Sequence, residues 1–421
     1  MKLGGLLTEP DAVLLIKKRE SAFQCRKEGT MSSINREGIV SILQGAAFLG
    51  AGGGGALDLG LKMLKQLEDD GYEISLNLIE PEEMAAGTLA ATVAGLGAPS
   101  NVDMQKFEKD LPGAFAALCE GYRVEDKRLS YLYSGEMGGL NTMVPIMLHI
   151  VSDANPQNRI NVVNADANGR AVPELNTCLV TARGFPPAPV GIQGHDKEKK
   201  ETECRYTAWT KKKEDDTAED VAKTAEGIAR SLAIQYGQVG FATWALSEAQ
   251  LKENACPGYL SLALKIGRTL DIGSAYTEGK MSDICGLMGG RAKCLCIGKV
   301  SAFCRDVSAG FDVGKTTILT DDRKTCEIDF QNENIVAYYD GDAVITAPER
   351  ICIIDYDTCT PLTNVDEDIY IGRRVAVILS AAHANWWKKD VNPYRCWNSI
   401  LDRVNYVGEY IDFDGMRFPR K

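Results

Sequence analysis

REGIVSILQGAAFLGAGGGGALDLGLKMLKQL, residues 36–67, carries the reading on which the fold of the N-terminal half turns. Gly50-x-Gly52-x-x-Gly55 is literally G-x-G-x-x-G, and Leu57, Leu61, Leu64 and Leu67 place a helix directly after it, closing at Gly71. In a dinucleotide fold such glycines bring the backbone close to a pyrophosphate at a helix N-terminus. An acid ending the next strand, here Glu80, then holds the ribose. The residues before the loop point elsewhere. Ile39, Ile42, Leu43 and Ala46 fall at helical spacing, whereas the dinucleotide motif needs a strand there. A loop whose amides receive some other anionic or carbonyl group ranks first, a structural turn second and dinucleotide binding third.

Outward from the loop, strands and helices alternate. YEISLNLI (72–79) places Tyr72, Ile74, Leu76 and Leu78 on one face, and TLAATVAGL (88–96) is a buried, β-branched strand. MQKFEKDLPGAFAALCEGY (104–122) predicts a helix around Pro112, RLSYLYSG (128–135) a strand, GLNTMVPIMLHIV (139–151) a helix and RINVVNADANGR (159–170) a strand running into a loop. This rhythm predicts an α/β N-terminal domain over 33–172, a parallel sheet flanked by helices, preceded by a mixed-charge lead-in at 1–32. After Pro173 the rhythm changes. HDKEKKETE (195–203) and KKKEDD (211–216) read as solvated loops. Capping boxes at Thr217-x-x-Asp220 and Ser247-x-x-Gln250 open two helices within a helical segment of about 217–270. Short β-rich runs then recur from Lys293 to Leu379, so residues 173–421 read as a β-rich, barrel-like C-terminal domain with helices.

Composition narrows the function. The chain has 421 residues, 45% hydrophobic and 25% charged, with a formal net charge of -11. Those fractions exclude wholesale disorder, and the acid excess without a Lys/Arg stripe argues against a nucleic-acid partner. TLAATVAGLGAP is far shorter than the roughly 20 apolar residues that span a bilayer, so no membrane association is expected. Thr8, Glu9, Pro10 and Asp11 break the N-terminal apolar stretch, which does not read as a secretory signal. Thirteen scattered cysteines suit a reducing, cytoplasmic setting better than a disulfide framework. Cys294 and Cys296 would share one strand face, but no second metal-ligand pair accompanies them, and buried thiols are the better reading.

The three histidines, His149, His195 and His383, form neither H-x-x-x-H nor H-x-H, so any metal would rest on carboxylates or thiolates. The informative residues are acids and amides in loops. Glu136 and Asn141 lie just beyond one strand, and Asn164, Asp166, Arg170 and Glu174 at and beyond the end of the next, where open α/β sheets present their sites. Asn332, Glu333 and Asn334 sit in a strand pattern, where alternation turns at least one of them inward to a partner or a substrate. DVGKTTIL (312–319) imitates a phosphate loop, but Ala309 stands where its first glycine is required.

Several of these stretches appear together in one known family. Through QGAAFLGAGGGG (44–55), GLGAPSNV (95–102), SGEMGGLNTMVP (134–145), ADANGRAVPEL (165–175), GKVSAF (298–303), FQNENIVAYYDG (330–341), TAPERICIIDYDT (346–358) and IGRRVAV (371–377), the chain resembles the S-methyl thiohydantoin desulfurase family. The stretches keep their order from Asn35 to Leu379. The resemblance implies an α/β N-terminal and a β-barrel-like C-terminal domain, and turns the glycine loop away from NAD. The family tends to carry Asp where this chain has Asn164 and Met where it has Asn168, a lost carboxylate that would bear on substrate, metal or activity.

The leading expectation is a hydrolase of a five-membered cyclic amide or thioimidate, with water attacking the sulfur-bearing ring carbon and methanethiol leaving. That chemistry needs a base, a proton for the ring nitrogen and donors for ring carbonyls. Asp166 or Glu136 is the expected base. Asn141, Asn332, Glu333 and the amides of Gly52, Gly53, Gly54 and Gly55 are expected around the ring, with Arg170 pairing a substrate carboxylate or fixing Glu174. One divalent metal held by carboxylates is compatible with this set, as is a homo-oligomer or a hydantoinase-like partner. A non-catalytic, ring-binding subunit of such a partner is the second reading, and a nicotinamide oxidoreductase the third.

Overall fold

The computed structural model describes residues 33–96, 104–123, 128–153, 159–195, 203–208, 216–308, 311–388 and 393–420. The lead-in at 1–32 and the charged stretches at 196–202 and 209–215 lie outside them. Helix α1 (Arg36–Leu49) begins where the Asn35 side chain accepts the Gly38 amide, and it buries Ile39, Ile42, Leu43 and Ala46. The glycine loop therefore joins α1 to α2 (Leu57–Asp69), and the strand that a dinucleotide site needs before its loop is missing.

The alternation at 72–79 yields only β1 (Leu78–Ile79), because its neighbour in the sheet meets it only at Val162 and Val163. There follow β2 (Thr88–Leu96), α3 (Met104–Arg123), β3 (Arg128–Ser134), α4 (Met143–Asp153) and β4 (Asn161–Asp166), pairing in parallel in the order β1-β4-β3-β2. The chain then runs through α5 (Leu179–Ala182), β5 (Val190–His195), β6 (Glu203–Ala208), α6 (Ala218–Tyr236), β7 (Val239–Leu246), α7 (Glu248–Asn254), β8 (Cys256–Pro257), α8 (Tyr259–Leu270) and α9 (Glu278–Leu287). Strands β7, β5 and β6 extend the sheet beyond β2, and β8 pairs with β4, all antiparallel. The sheet is thus parallel at its heart and mixed as a whole, and strands from beyond Pro173 complete it. One face lies under α1, α2, α4 and α8, while Ala222, Ala225, Ala229 and Ala233 of α6 let that helix settle closely on the other.

Seven antiparallel strands follow: β9 (Ala292–Ser308), β10 (Phe311–Thr320), β11 (Thr325–Gln331), β12 (Glu333–Tyr339), β13 (Asp342–Thr346), β14 (Arg350–Asp355) and β15 (Arg374–Ser380). Their order is β13-β12-β11-β10-β9-β15-β14. The sheet curls into a half-barrel, since Asn334 Nδ2 donates to Ile351 O (2.7 Å), drawing β12 against β14. Val300, Ile318, Ile328, Ile351, Val375 and Val377 fill its concave side. Val336, Cys352, Ile354, Ala376 and Ile378 point the other way into the core beneath the N-terminal helices, which α10 (Pro393–Arg403) also enters through Trp397, Ile400 and Leu401. One apolar core therefore binds the two domains.

A register shift in the β9–β15 pairing separates Cys294 from Cys296. Cys294 packs with the helical core and Cys296 inside the half-barrel, so they do not share a face. Among the described residues no helix is long and apolar enough to cross a membrane.

Candidate functional site

A cavity of about 120 Å³ opens where the two domains meet. The loop after β3 supplies Glu136, Leu140 and Asn141, the glycine loop supplies Gly54 and Gly55, and the segment after β4 supplies Val172, Pro173, Glu174 and Leu175. From the C-terminal sheet come Asn332 and Glu333. Of the residues expected from sequence, Glu136, Asn141, Glu174, Asn332, Glu333, Gly54 and Gly55 meet here, while Asp166, Arg170, Gly52 and Gly53 do not line the cavity.

Glu136 is held from two sides. Asn141 Nδ2 donates to its Oε1 at 2.5 Å and the Val172 amide to its Oε2 at 3.1 Å. Asn141 is itself fixed, accepting the Gly95 amide through Oδ1 and donating its own amide to Gly54 O, both at 3.0 Å. Burial pushes the Glu136 carboxyl up to about 7, against the lowering effect of those two hydrogen bonds. Glu333 is 3% exposed, and its carboxyl is held well above the ordinary carboxylate range: burial is the first cause and the negative charge of Glu136 the second. Its Oε2 is buried without a hydrogen-bond partner. Two carboxyls from different domains thus face one cavity, each raised from its ordinary value by burial.

Asn332 has φ +55° and sits at the apex between β11 and β12, where Gln331 pairs directly with Glu333. The chain reverses there, so the strand alternation expected for Asn332, Glu333 and Asn334 does not apply, and all three are buried. Asn332 Oδ1 accepts the Asp312 amide (2.9 Å), which pins the apex.

Asp166, the other expected base, is turned into its own loop. Its Oδ1 accepts the amides of Asn168 (2.9 Å) and Gly169 (2.5 Å), and burial lifts it to about 7. Arg170 meets neither Glu174 nor open space. Its Nη1 donates to Glu349 O (2.7 Å), its Nη2 to Asn334 O (3.0 Å), and its guanidinium stacks on Trp397. Glu174 pairs instead with Arg403 at 2.5 Å. Asn164 binds Glu80 Oε1 and Ser261 Oγ at 2.8 Å each and accepts the Ser261 amide, outside the cavity. Asn164 thus fastens α8 to the sheet.

The glycine loop offers its carbonyls more than its amides. Ala51 O accepts from Asn334, Gly52 O from Asn364, Gly54 O from Asn141 and Gly55 O from Gly139, which stitches both domains to the loop. Gly54, at φ +71°, passes so close to the next loop that a Cβ would come within 2.1 Å of Met137 O.

Sequence reasoning missed the wall formed by α6 and β7. Glu226, Arg230, Gln238, Phe241, Trp244 and the buried thiol of Cys178 all line the cavity. Glu226 and Arg230 stand four residues apart and bond at 2.6 Å, a spacing that in sequence reads as an ordinary surface pair. Histidine takes no part. His149 Nδ1 donates to Ile160 O (2.7 Å), His195 pairs with Asp110 and His383 packs edge-on against Tyr259. Among the described residues no group of three or more His, Cys, Asp or Glu side chains could hold a metal ion.

Comparison with known proteins bears on this geometry. A model of the S-Me-THD-like N-terminal domain matches residues 37–201, and one of the S-Me-THD-like C-terminal domain matches residues 219–391. A crystal structure of a protein from Chromobacterium violaceum superposes with a TM-score of 0.74 at 24% identity, covering 91% of this chain and 100% of that one. That likeness establishes a shared fold. No curated protein matches the chain.

Proposed function

The chain belongs to the S-Me-THD-like family, and from that premise we propose that it hydrolyses an S-methyl thiohydantoin, a five-membered S-methyl thioimidate ring. The observation that supports this most directly is the pair Glu136 and Glu333, two carboxyls raised by burial that face one cavity. In the proposed reaction ionised Glu136 takes a proton from water as its oxygen bonds to the ring carbon bearing sulfur, and protonated Glu333 donates to the ring nitrogen. On collapse the C–S bond breaks, the new hydroxyl returns its proton to Glu333, and Glu136 gives its proton to the departing sulfur. The sum is thiohydantoin thioether plus water giving hydantoin plus methanethiol. Asn141 keeps Glu136 aimed, and Asn332 with the backbone of Gly54 and Gly55 would meet ring carbonyls.

The test is methanethiol release from a panel of S-methyl thiohydantoins, read with a thiol dye, blanked for the 13 cysteines and run with and without a chelator. Release that scales with protein and is lost in Glu136→Gln and Glu333→Gln supports the reading. Full activity in both variants, or none in the folded native protein, overturns it. Tight ring binding without release would instead favour a binding subunit.

A further inference from the structure

We infer that the cavity takes uncharged rings with alkyl or aryl arms and rejects carboxylate-bearing ligands, the ring-opened acid included; this rests on the cyclic substrate proposed above. Glu136, Glu174, Glu226 and Glu333 all line the cavity, and among the described residues of its lining Arg230 is the only cationic one. That cation is already committed. Arg230 Nε donates to Glu226 Oε1 at 2.6 Å, its Nη2 to Pro173 O at 3.0 Å, and its guanidinium lies 3.7 Å over the Phe311 ring. Glu226 completes the lock by accepting the Leu175 amide at 3.0 Å.

The remaining acids set the rule for a ligand. Glu333 presents a buried oxygen with no partner, and Glu136 stands opposite in the same cavity. A neutral ring N–H or carbonyl can exchange hydrogen bonds with either protonation state of such a carboxyl. A ligand carboxylate would add a like charge beside Glu136 where water cannot screen it, and the two nearby cations are already engaged, Arg170 by Glu349 O and Asn334 O and Arg230 by Glu226 and Pro173 O. Leu96, Leu140, Leu175, Phe241 and Trp244 make the rest of the wall apolar, which suits an alkyl or aryl arm.

The rule also separates two reactions. Opening the ring leaves a carboxylate on the product, whereas replacing sulfur at the ring carbon leaves a neutral ring. The wall therefore favours cleavage outside the ring.

Calorimetric titration of the native protein with 5-isobutylhydantoin, hydantoin-5-acetic acid and N-carbamoyl-leucine at pH 7.5 tests this. The alkyl hydantoin is expected to bind at least about tenfold more tightly than either acid. Glu226→Gln, which removes the charge that engages Arg230, is expected to narrow that gap by tightening the two acids. Equal or tighter binding of either acid by the native protein overturns the inference. A preference for the neutral ring without methanethiol release from its S-methyl analogue upholds it and overturns the hydrolase reading. No binding of any of the three overturns both.

Discussion

Arg170 and Arg350 exchange hydrogen bonds with each other's chain neighbours: Arg170 Nη1 donates to Glu349 O and Arg350 Nη1 to Gly169 O, each at 2.7 Å. Both guanidinium groups are buried, at 1% and 2% exposure, and each spans from one domain to the other. Two of the stretches that carry the family resemblance, ADANGRAVPEL and TAPERICIIDYDT, thus meet as one clasp between the domains.

The clasp predicts a folding phenotype at Arg170. Arg170→Met leaves the carbonyls of Glu349 and Asn334 without their donor, at a cost of roughly 3 kcal/mol or more. Urea denaturation should show the lowered midpoint, while KM for the ring stays within about twofold under conditions where the variant is folded. A large rise in KM at unchanged stability would restore Arg170 to substrate binding.

Gly53 predicts the opposite pattern. A Cβ there would stand 2.1 Å from Oε1 and 2.5 Å from Cγ of Glu333 and would meet side chain rather than backbone, so Gly53→Ala should push the Glu333 side chain aside without unfolding the loop. A fall in kcat of about 10²-fold with a change in Tm of a few degrees is expected. Gly54→Ala meets Met137 O instead, at positive φ, and should lose stability by about 1–3 kcal/mol. Equal losses of stability in the two variants would contradict this division.

The two carboxyls predict a bell-shaped dependence of kcat/KM on pH. Glu136 works as base once ionised, so activity should rise with pH through about 7. Glu333 works while protonated, so activity should fall at higher pH as its proton is lost. Glu136→Gln should lower kcat by about 10²–10⁴-fold, and Glu333→Gln, which cannot ionise, should abolish the falling limb. A falling limb that persists in Glu333→Gln would assign the acid elsewhere.

Much of this was legible in the sequence because it is local. Capping at Thr217 and Ser247, the helix after the glycine loop and the short antiparallel runs after Lys293 follow from spacing alone. The site is less local. The glycines announce a tight loop, but what they leave room for, Glu333, lies 280 positions further on. The polar triplet at 332–334 stands out, yet its meaning depends on a chain reversal that period-two reading cannot see. Glu226 and Arg230 were hidden because an i,i+4 ion pair on a helix looks the same whether it faces solvent or a cavity. Asp166 ends β4, a position that suits a site, but which way its side chain turns is not legible from spacing: it caps the turn that carries Arg170.

Asp166 therefore predicts a stability effect with a definite sign. Its folded carboxyl holds a proton up to about 7, against an ordinary value of 3.8. Between those values the folded chain binds more protons than the unfolded chain, so this group's contribution is present at low pH and is lost as pH rises through the window. The slope is up to about 1.4 kcal/mol per pH unit. Glu136 and Glu349, both lifted to about 7 by burial, add to the same slope. Asp166→Asn keeps an oxygen to accept the amides of Asn168 and Gly169 but cannot titrate. Its unfolding free energy, measured in urea at pH 5, 6, 7 and 8, should fall less steeply with pH than that of the native protein. Turnover should stay within about tenfold, because Asp166 does not line the cavity. Parallel slopes would mean that Asp166 ionises normally in the fold, and total loss of turnover in a stable variant would return it to the chemistry.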